Sequence, residues 1–369
     1  MKFSHLIVAT TGRALAKSAS RSGHRVAVLD LFADQDTRGY ASVCQRIPAS
    51  GWDLDAAATV SAASEICPVS VPLVTGSGFE NQPALIDALA RGRELFGNSS
   101  ATVAACKDPQ HFFTLLDRLG IAHPETSLTP ADNPDGWLAK KIGGSGGTHV
   151  RRARIDKAYL PDTFFQRHVG GVCASVLFLA DGHRARIVGF NETWSRSVGD
   201  TPFAYSGAIN RVEIAPALRS RISVDVDTLA GALGLVGLNG MDFIVIRDDY
   251  LALEINPRPT ATIDLHDDQT AGSLFDLHVR ACAGTLPPVL QISNTVRAHA
   301  IVYSSGGRLQ TPRPAFPDWC SDLPADDTGI AAGMPICTIH ANGSSASEVK
   351  RLLNRRQAAL ETCLMEKAA

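Results

Sequence analysis

The chain has 369 residues, more than one hydrophobic core usually supports, so an enzyme of two or three lobes packed around a cleft is expected. Lys and Arg total 35 against 37 Asp and Glu, for a net charge of −2, which leaves no basic excess for a nucleic-acid partner and points to small molecules. Apolar runs such as 6–9 and 172–180 are too short to cross a bilayer, no signal-peptide pattern opens the chain, and eight cysteines lie scattered without a CxxC pair, so a cytoplasmic protein with buried free thiols and no membrane partner is expected.

In chain order, HLIVAT (5–10), a helix-compatible segment to Ser22 stopped by Gly23, and RVAVLD (25–30) make an opening βαβ unit. The turn TTGRA lacks the GxGxxG spacing and carries no dinucleotide signal, and Asp30 either caps a ribose or ends its strand. VSVPLVTGSGFEN (69–81) reads as a buried strand running into a Gly-Ser-Gly turn, the place where open parallel sheets put ligands. Gly76, Ser77 and Gly78 therefore admit a substrate to the backbone with Glu80 at the rim, or else form a tight turn before a helix started by Pro83. This lobe ends near Gly97.

KDPQHFFTLLDRLG begins a helix with Asp108 as N-cap and Pro109 as first residue, carries an apolar stripe of Phe112, Leu115, Leu116 and Leu119, and stops at Gly120. The strand WLAKK (137–141) follows. FFQRHV and CASVLFLA then precede an Asp181-Gly182 turn and RARIVGF, an antiparallel hairpin. The order fits an α/β lobe followed by an α+β lobe, with short strands over 296–340 and an amphipathic closing helix over 347–364.

Two segments carry chemistry. In LAKKIGGSGGTHVRR, Gly143, Gly144, Ser145, Gly146 and Gly147 lie between extended runs, where backbone N–H groups can turn toward phosphate oxygens without obstruction. Lys140 or Lys141 supplies a point charge to the same phosphates, no Walker A spacing is present, and His149 is expected at the surface. The second segment, NGMDFIVIRDDYLALEINPRP, reads as two strands joined at RDD. With Asp248 at the centre of the turn, Asp242 and Glu254 are each six positions away and face each other. Two opposed carboxylates in an apolar hairpin repel unless one is protonated or a cation lies between them, and a hard divalent cation would settle the conflict. Asn256 shares the face of Glu254, and this set of oxygens suits Mg²⁺ or Mn²⁺ completed by phosphates and water. Pro257 and Pro259 hold Arg258 extended toward the same place, where it can stabilise charge that develops in a transfer.

These residues resemble the ATP-grasp superfamily, most specifically in Glu254-Ile255-Asn256-Pro257-Arg258. The resemblance spans roughly residues 1–285. It implies a Rossmann-like acceptor domain (1–97), a lid subdomain (98–170), a large subdomain with the metal site (171–290) and a C-terminal β-rich, barrel-like region with a closing helix (291–369) that braces the nucleotide lobe. It implies ATP as substrate, Lys107 and Lys140 on its phosphates, the hinge strand Gln166, Arg167, His168 and Val169 at the adenine edge, and Arg258 and Lys140 as catalytic residues. Segments such as DLFADQDT, TGSGFEN and EINPRPTATIDL look like a carboligase subgroup related to biotin carboxylase and tyramine-glutamate ligase. What that implies is amide formation between a small-molecule carboxylate and an amine, in the making of a tetrahydromethanopterin- or methanofuran-type one-carbon carrier. Two departures stand out: Lys141 replaces a proline common after the loop lysine, and Cys173 replaces a glutamate that often holds the ribose. The alternatives are a bicarbonate-dependent carboxylase or carbamoyl-phosphate-type enzyme, disfavoured because TATIDLHD lacks a Gln-Val-Glu run, and a non-catalytic nucleotide sensor. A homodimer is the expected assembly.

Overall fold

HLIV and VAVLD are buried along their whole length, as strands covered on both faces must be, and they lie parallel as β1 (His5–Val8) and β2 (Val26–Asp30) around α1 (Arg13–Arg21). The first lobe continues through α2 (Gln35–Tyr40), β3 (Val43–Arg46), a small hairpin of β4 (Ala49–Ser50) and β5 (Asp53–Leu54), α3 (Ala56–Ile66), β6 (Leu73–Thr75), α4 (Ala84–Ala90) and β7 (Leu95–Phe96). Its parallel sheet has the order β3-β2-β1-β6-β7. The order reverses between β1 and β6, so a crevice opens beyond the C-terminal ends of these two strands, where the 76–78 turn lies. The computed structural model describes residues 3–269, 272–288, 290, 294–304, 316–325 and 328–366.

Helix α5 (Ser100–Lys107) leads into α6 (Pro109–Leu119), whose ends follow from the local chemistry: the Asp108 side chain accepts from the His111 N–H, Pro109 opens the first turn, and Gly120 ends it at φ 69°. A four-stranded antiparallel sheet follows, built from β8 (Thr126–Ser127), β9 (Trp137–Lys141), β10 (Val150–Arg152) and β11 (Thr163–Arg167) in the order β10-β9-β11-β8. Its own core is small, with Trp137, Ala139 and Phe165 at its centre.

The third sheet comprises β12 (Val172–Asp181), β13 (Ala185–Val198), β14 (Thr201–Ile209), β15 (Val236–Ile246), β16 (Asp249–Asn256), β17 (Val296–Tyr303), β18 (Cys320–Ser321) and β19 (Pro335–Gly343). Its order is β16-β15-β12-β13-β14-β17-β19-β18. The expected hairpin forms at Asp181, whose side chain accepts from the His183 and Arg184 N–H groups. One face packs on α7 (Pro216–Leu233) and α6 through Phe112, Leu116, Ile222, Val226 and Phe243. The opposite face packs on α1, α8 (Ile263–His266) and α9 (Leu274–Cys282). The C-terminal β-rich region joins this same sheet: β17 pairs with β14, and α10 (Ala346–Glu366) covers β17 and β19. It is thereby continuous with the third sheet, and positions 305–315 and 326–327 of the expected strand region lie outside the described residues. Among the described residues, no helix is long and apolar enough to cross a membrane.

Candidate active site

The β15–β16 hairpin turns at Arg247 and Asp248, with Arg247 in the left-handed region at φ 54°. Ile246 pairs with Asp249 and Phe243 with Ala252, so the turn is centred between Arg247 and Asp248 rather than on Asp248. A β-bulge then intervenes, with Leu253 as the extra residue, and beyond it Asp242 faces Glu254 and Gly240 faces Asn256. The expected Asp242–Glu254 pairing therefore exists, but it arises from a two-residue turn plus a bulge. Without the bulge Asp242 would face Leu253.

The side chains of this hairpin meet residues from distant segments. Lys107, at the end of α5, donates its Nζ to Glu254 Oε2 at 2.9 Å and to Asn256 Oδ1 at 3.2 Å. Asn256 Nδ2 donates to Asp242 Oδ2 at 3.0 Å. Burial, and then the Glu254 charge beside it, raise the Asp242 carboxyl above the usual carboxylate range. Glu254 is shifted the opposite way: burial alone would raise it, but Lys107, His149 and Lys140 hold it low. Two carboxylates and one amide oxygen on one face of the paired strands β15 and β16 make a hard-oxygen donor set. Among the described residues no group of three or more His, Cys, Asp and Glu could hold a metal, so a cation here would need ligands from outside the protein.

Arg258 Nε donates to Glu80 Oε1, and Glu80 Oε2 accepts from the Gly78 N–H at 2.8 Å. Burial would raise the Glu80 carboxyl, yet Arg258 and Lys107 keep it below its usual range. Glu80 thus does not stand at a rim: it is 6% exposed and belongs to the same charged cluster as the hairpin. The neighbouring glycines are explained by packing within the first lobe, since a Cβ on Gly76 would lie 2.7 Å from Ala9 Cβ and one on Gly78 2.6 Å from Thr10 Oγ1. Ser77 accepts from the Thr10 N–H through its carbonyl at 2.7 Å.

Strand alternation settles the geometry of the two loop lysines. Lys140 turns inward, donating to Gln166 Oε1 at 2.6 Å, and burial lowers its pKa against the pull of Glu254 and Asp242. Lys141 points outward beside Asp162 at 4.0 Å. The glycine loop closes over the cluster. A Cβ on Gly143 would lie 2.6 Å from the Glu80 carbonyl oxygen, one on Gly147 would lie 1.9 Å from that of Phe203, and the Gly146 carbonyl accepts from the Tyr205 N–H at 2.9 Å. Gly144 makes room for the His149 ring, which a Cβ there would meet at 2.1 Å. His149 is accordingly half-buried rather than at the surface. Burial pushes it down to about 4, with Glu254 pulling against Lys140 and Lys107.

Along the hinge, Gln166 is buried, whereas Arg167 and His168 are exposed and spend their N–H groups on the Glu125 and Gly136 carbonyls. Val169 and the exposed Cys173 follow, the latter within electrostatic reach of Lys140 and Asp242. The structure thus gathers Lys107, Lys140, Glu80, Asp242, Glu254, Asn256 and Arg258, and turns Lys141, Arg167 and His168 away. Sequence reasoning missed His149 and Tyr205, and also Asn98, which donates to the Pro257 carbonyl at 2.9 Å and to Asn239 Oδ1 at 2.8 Å and so anchors the segment bearing Arg258. Asn98 has no local signature, because its partners lie more than a hundred positions away in the chain.

Comparison with known proteins agrees with this architecture. Residues 106–262 match the family described as ATP-grasp domain. A formate-dependent phosphoribosylglycinamide formyltransferase of Nitratidesulfovibrio vulgaris (strain DP4) is 27% identical over 208 residues, which cover 55% of this chain and 46% of that protein. The chain thus spans about half the length of the curated relatives it matches. In fold it is similar to the biotin carboxylase of Campylobacter jejuni in complex with β,γ-ATP, with a TM-score of 0.72, 13% identity, and coverage of 94% of this chain and 89% of the other. It is likewise similar to the N5-carboxyaminoimidazole ribonucleotide synthetase of Thermus thermophilus, with a TM-score of 0.67, 17% identity, and coverage of 97% and 98%.

Proposed function

We propose that this chain, a member of the ATP-grasp superfamily, is an ATP- and Mg²⁺-dependent carboxylate–amine ligase that forms an amide through an acyl phosphate. The observation that carries the reading is the closure of a glycine loop over one cluster in which Lys107 and Lys140 flank Asp242, Glu254 and Asn256, with Arg258 held on Glu80 at its side. Mg²⁺ or Mn²⁺ held by Asp242, Glu254 and Asn256 would neutralise charge on the transferring phosphoryl group. Lys107 and Lys140 bind phosphate oxygens, and the backbone N–H groups of 143–147 shield them from water. The hinge from Gln166 to Val169 borders the adenine through backbone carbonyls, since the Arg167 and His168 N–H groups are spent on Glu125 and Gly136. Arg258, held by Glu80 and by the Asn98–Pro257 contact, faces the acyl phosphate.

In this reaction a carboxylate oxygen attacks the γ-phosphorus, the bond to ADP breaks, and an acyl phosphate results. An amine nitrogen then attacks the acyl carbon, the C–O bond to phosphate breaks, and the nitrogen loses a proton. The protein contributes positioning and charge stabilisation. The acceptor enters from the β1/β6 crevice beside Gly76, Ser77, Gly78 and Glu80. The subgroup resemblance extends the proposal to addition of an amino acid or glutamate in the synthesis of a tetrahydromethanopterin- or methanofuran-type carrier.

The test is ADP release from ATP and Mg²⁺ with pooled carboxylates and amines, with and without bicarbonate. Amide formation with ADP release supports the ligase. A strict bicarbonate requirement would replace it with a carboxylase, and tight ATP binding without turnover in any pool would replace it with a sensor.

A further inference from the structure

Far from the nucleotide cluster, the C-terminal edge of the third sheet brings two cysteines together. β18 pairs with β19 so that Cys320 lies opposite Ile339 and Ser321 opposite Thr338. Alternation then puts Cys337, two positions from Ile339, on the same face as Cys320 and diagonally across from it. Both side chains pack into the core beneath α10, Cys337 at 2% exposure and Cys320 half-buried at the margin. The two thiols are in hydrogen-bonding contact with each other.

A cation stands beside the more accessible of the pair. Arg356 of α10 stacks on the Trp319 ring at 5.2 Å and donates to the His340 carbonyl, which holds its guanidinium near Cys320. The contact with Cys337, and then Arg356, hold the Cys320 thiol below its ordinary range, although burial opposes them. Cys337 is shifted the other way, by its contact with Cys320 and then by burial, and keeps its proton. Burial likewise raises Cys44, Cys106, Cys282 and even the exposed Cys173. Cys320 thus combines access, a neighbouring cation and a second thiol.

We propose that Cys320 and Cys337, with Arg356 as the activating cation, form a modification site at which a hydroperoxide converts the two thiols into a disulfide. The Cys320 thiolate attacks the peroxide, an S–O bond forms, the O–O bond breaks, and the departing oxygen takes the proton that the thiol gave up. The Cys337 sulfur then attacks the Cys320 sulfur. The S–S bond forms, the S–O bond breaks, and hydroxide leaves as water with the Cys337 proton. The two sulfurs lose two electrons and the peroxide gains them. β18 is a two-residue strand at the end of the sheet, paired on one side, so it can shift to meet disulfide geometry. Asp322 follows it directly and accepts from Arg13 of α1, so the cross-link fixes the segment that grips the first lobe.

To test this, the reduced full chain is treated with one equivalent of hydrogen peroxide, its remaining thiols are blocked with N-ethylmaleimide, and it is cleaved before Asp, which separates the two cysteines. The expected product is a link between the Cys320 and Cys337 peptides that dithiothreitol reverses and that forms before the exposed Cys173 reacts. The oxidised chain should also melt at a higher temperature than the reduced one. Cys337→Ser should leave Cys320 as a sulfenic acid that dimedone traps, and Cys320→Ser should spare Cys337 from oxidation. Arg356→Gln should slow the reaction about tenfold at neutral pH, the loss of thiolate that one pKa unit brings. Circular dichroism separates these outcomes from unfolding. A link between other cysteines in place of this one, earlier loss of Cys173, dimedone labelling of Cys320 in the unaltered chain, or a rate indifferent to Arg356→Gln would overturn the proposal.

Discussion

A carboxyl group buried beside another carboxylate keeps its proton to higher pH, and Asp242 is in that position because Glu254 faces it and takes the nearest cation, Lys107. Replacing Glu254 by Gln removes the neighbouring charge while leaving the Lys107 ammonium an oxygen to donate to. The apparent pKa of the Asp242 carboxyl should therefore fall, which carboxyl-carbon NMR titration can follow. Metal-dependent ADP release should drop on the order of 100-fold, the loss typical of one preorganised charged contact. A thermal midpoint close to wild type would separate this from unfolding, and unchanged turnover would refute the hairpin assignment. The pair was read from the sequence by centring the turn on Asp248, a placement one half-step off that the bulge at Leu253 compensates, whereas the cap at Asp108 and the stop at Gly120 were legible directly. His149 was not, because its burial depends on Gly144 being small enough to admit the ring.

Among elements, the glycine loop lends itself to a test with an internal control. Gly146 and Gly147 both sit in the left-handed region, at φ 63° and 71°, so Ala at either position adds backbone strain of about 1–2 kcal/mol. They differ in surroundings: a Cβ on Gly146 meets nothing within 4 Å, whereas one on Gly147 would lie 1.9 Å from the Phe203 carbonyl oxygen. Gly147→Ala should thus prevent the loop from resting on β14, raise the KM for ATP and expose the loop to proteolysis. Gly146→Ala should show the smaller effect in both assays. Equal effects would mean that docking on β14 is immaterial to nucleotide retention. Composition made the loop visible in the sequence, but its resting place was hidden, since contact with Phe203 and Tyr205 depends on how β14 is brought alongside. Two further features were hidden for the same reason. The bulge at Leu253 leaves the alternation of LALEIN looking regular, and the pairing of β17 with β14 joins strands more than eighty positions apart.

Across the whole molecule, Arg13 ties the first lobe to the rest. Its guanidinium donates to Asp264 of α8 at 2.7 and 2.5 Å and to Asp322 beside β18 at 2.9 Å, while Asp36 of α2 accepts from the Asp322 and Leu323 N–H groups. Burial would raise Asp264 and Asp322, but Arg13 holds both below the usual carboxylate range. Asp34 shares this neighbourhood, and among the described residues no ion pair is made by its own carboxylate, with Arg13 only a minor opposing influence. Burial first, then Asp322, Asp30 and Asp36, raise it to about 9, so it stays protonated in the folded chain at neutral pH. A carboxyl raised on folding contributes stability that is fully present below its unfolded pKa and is lost as pH rises through the folded value. For Asp34 that window runs from about pH 4 to about pH 9. Asn has nearly the same shape, suits the same N-cap position of α2, and cannot ionise in the unfolded chain. Asp34→Asn should therefore leave the melting temperature unchanged near pH 4 and raise it at pH 7–8 by about 2–4 °C per kcal/mol recovered. Paired thermal melts at the two pH values read this difference directly, and a gain of equal size at pH 4, or a loss at pH 8, would mean that Asp34 is ionised in the fold and that the Arg13 cluster carries more negative charge than its geometry implies.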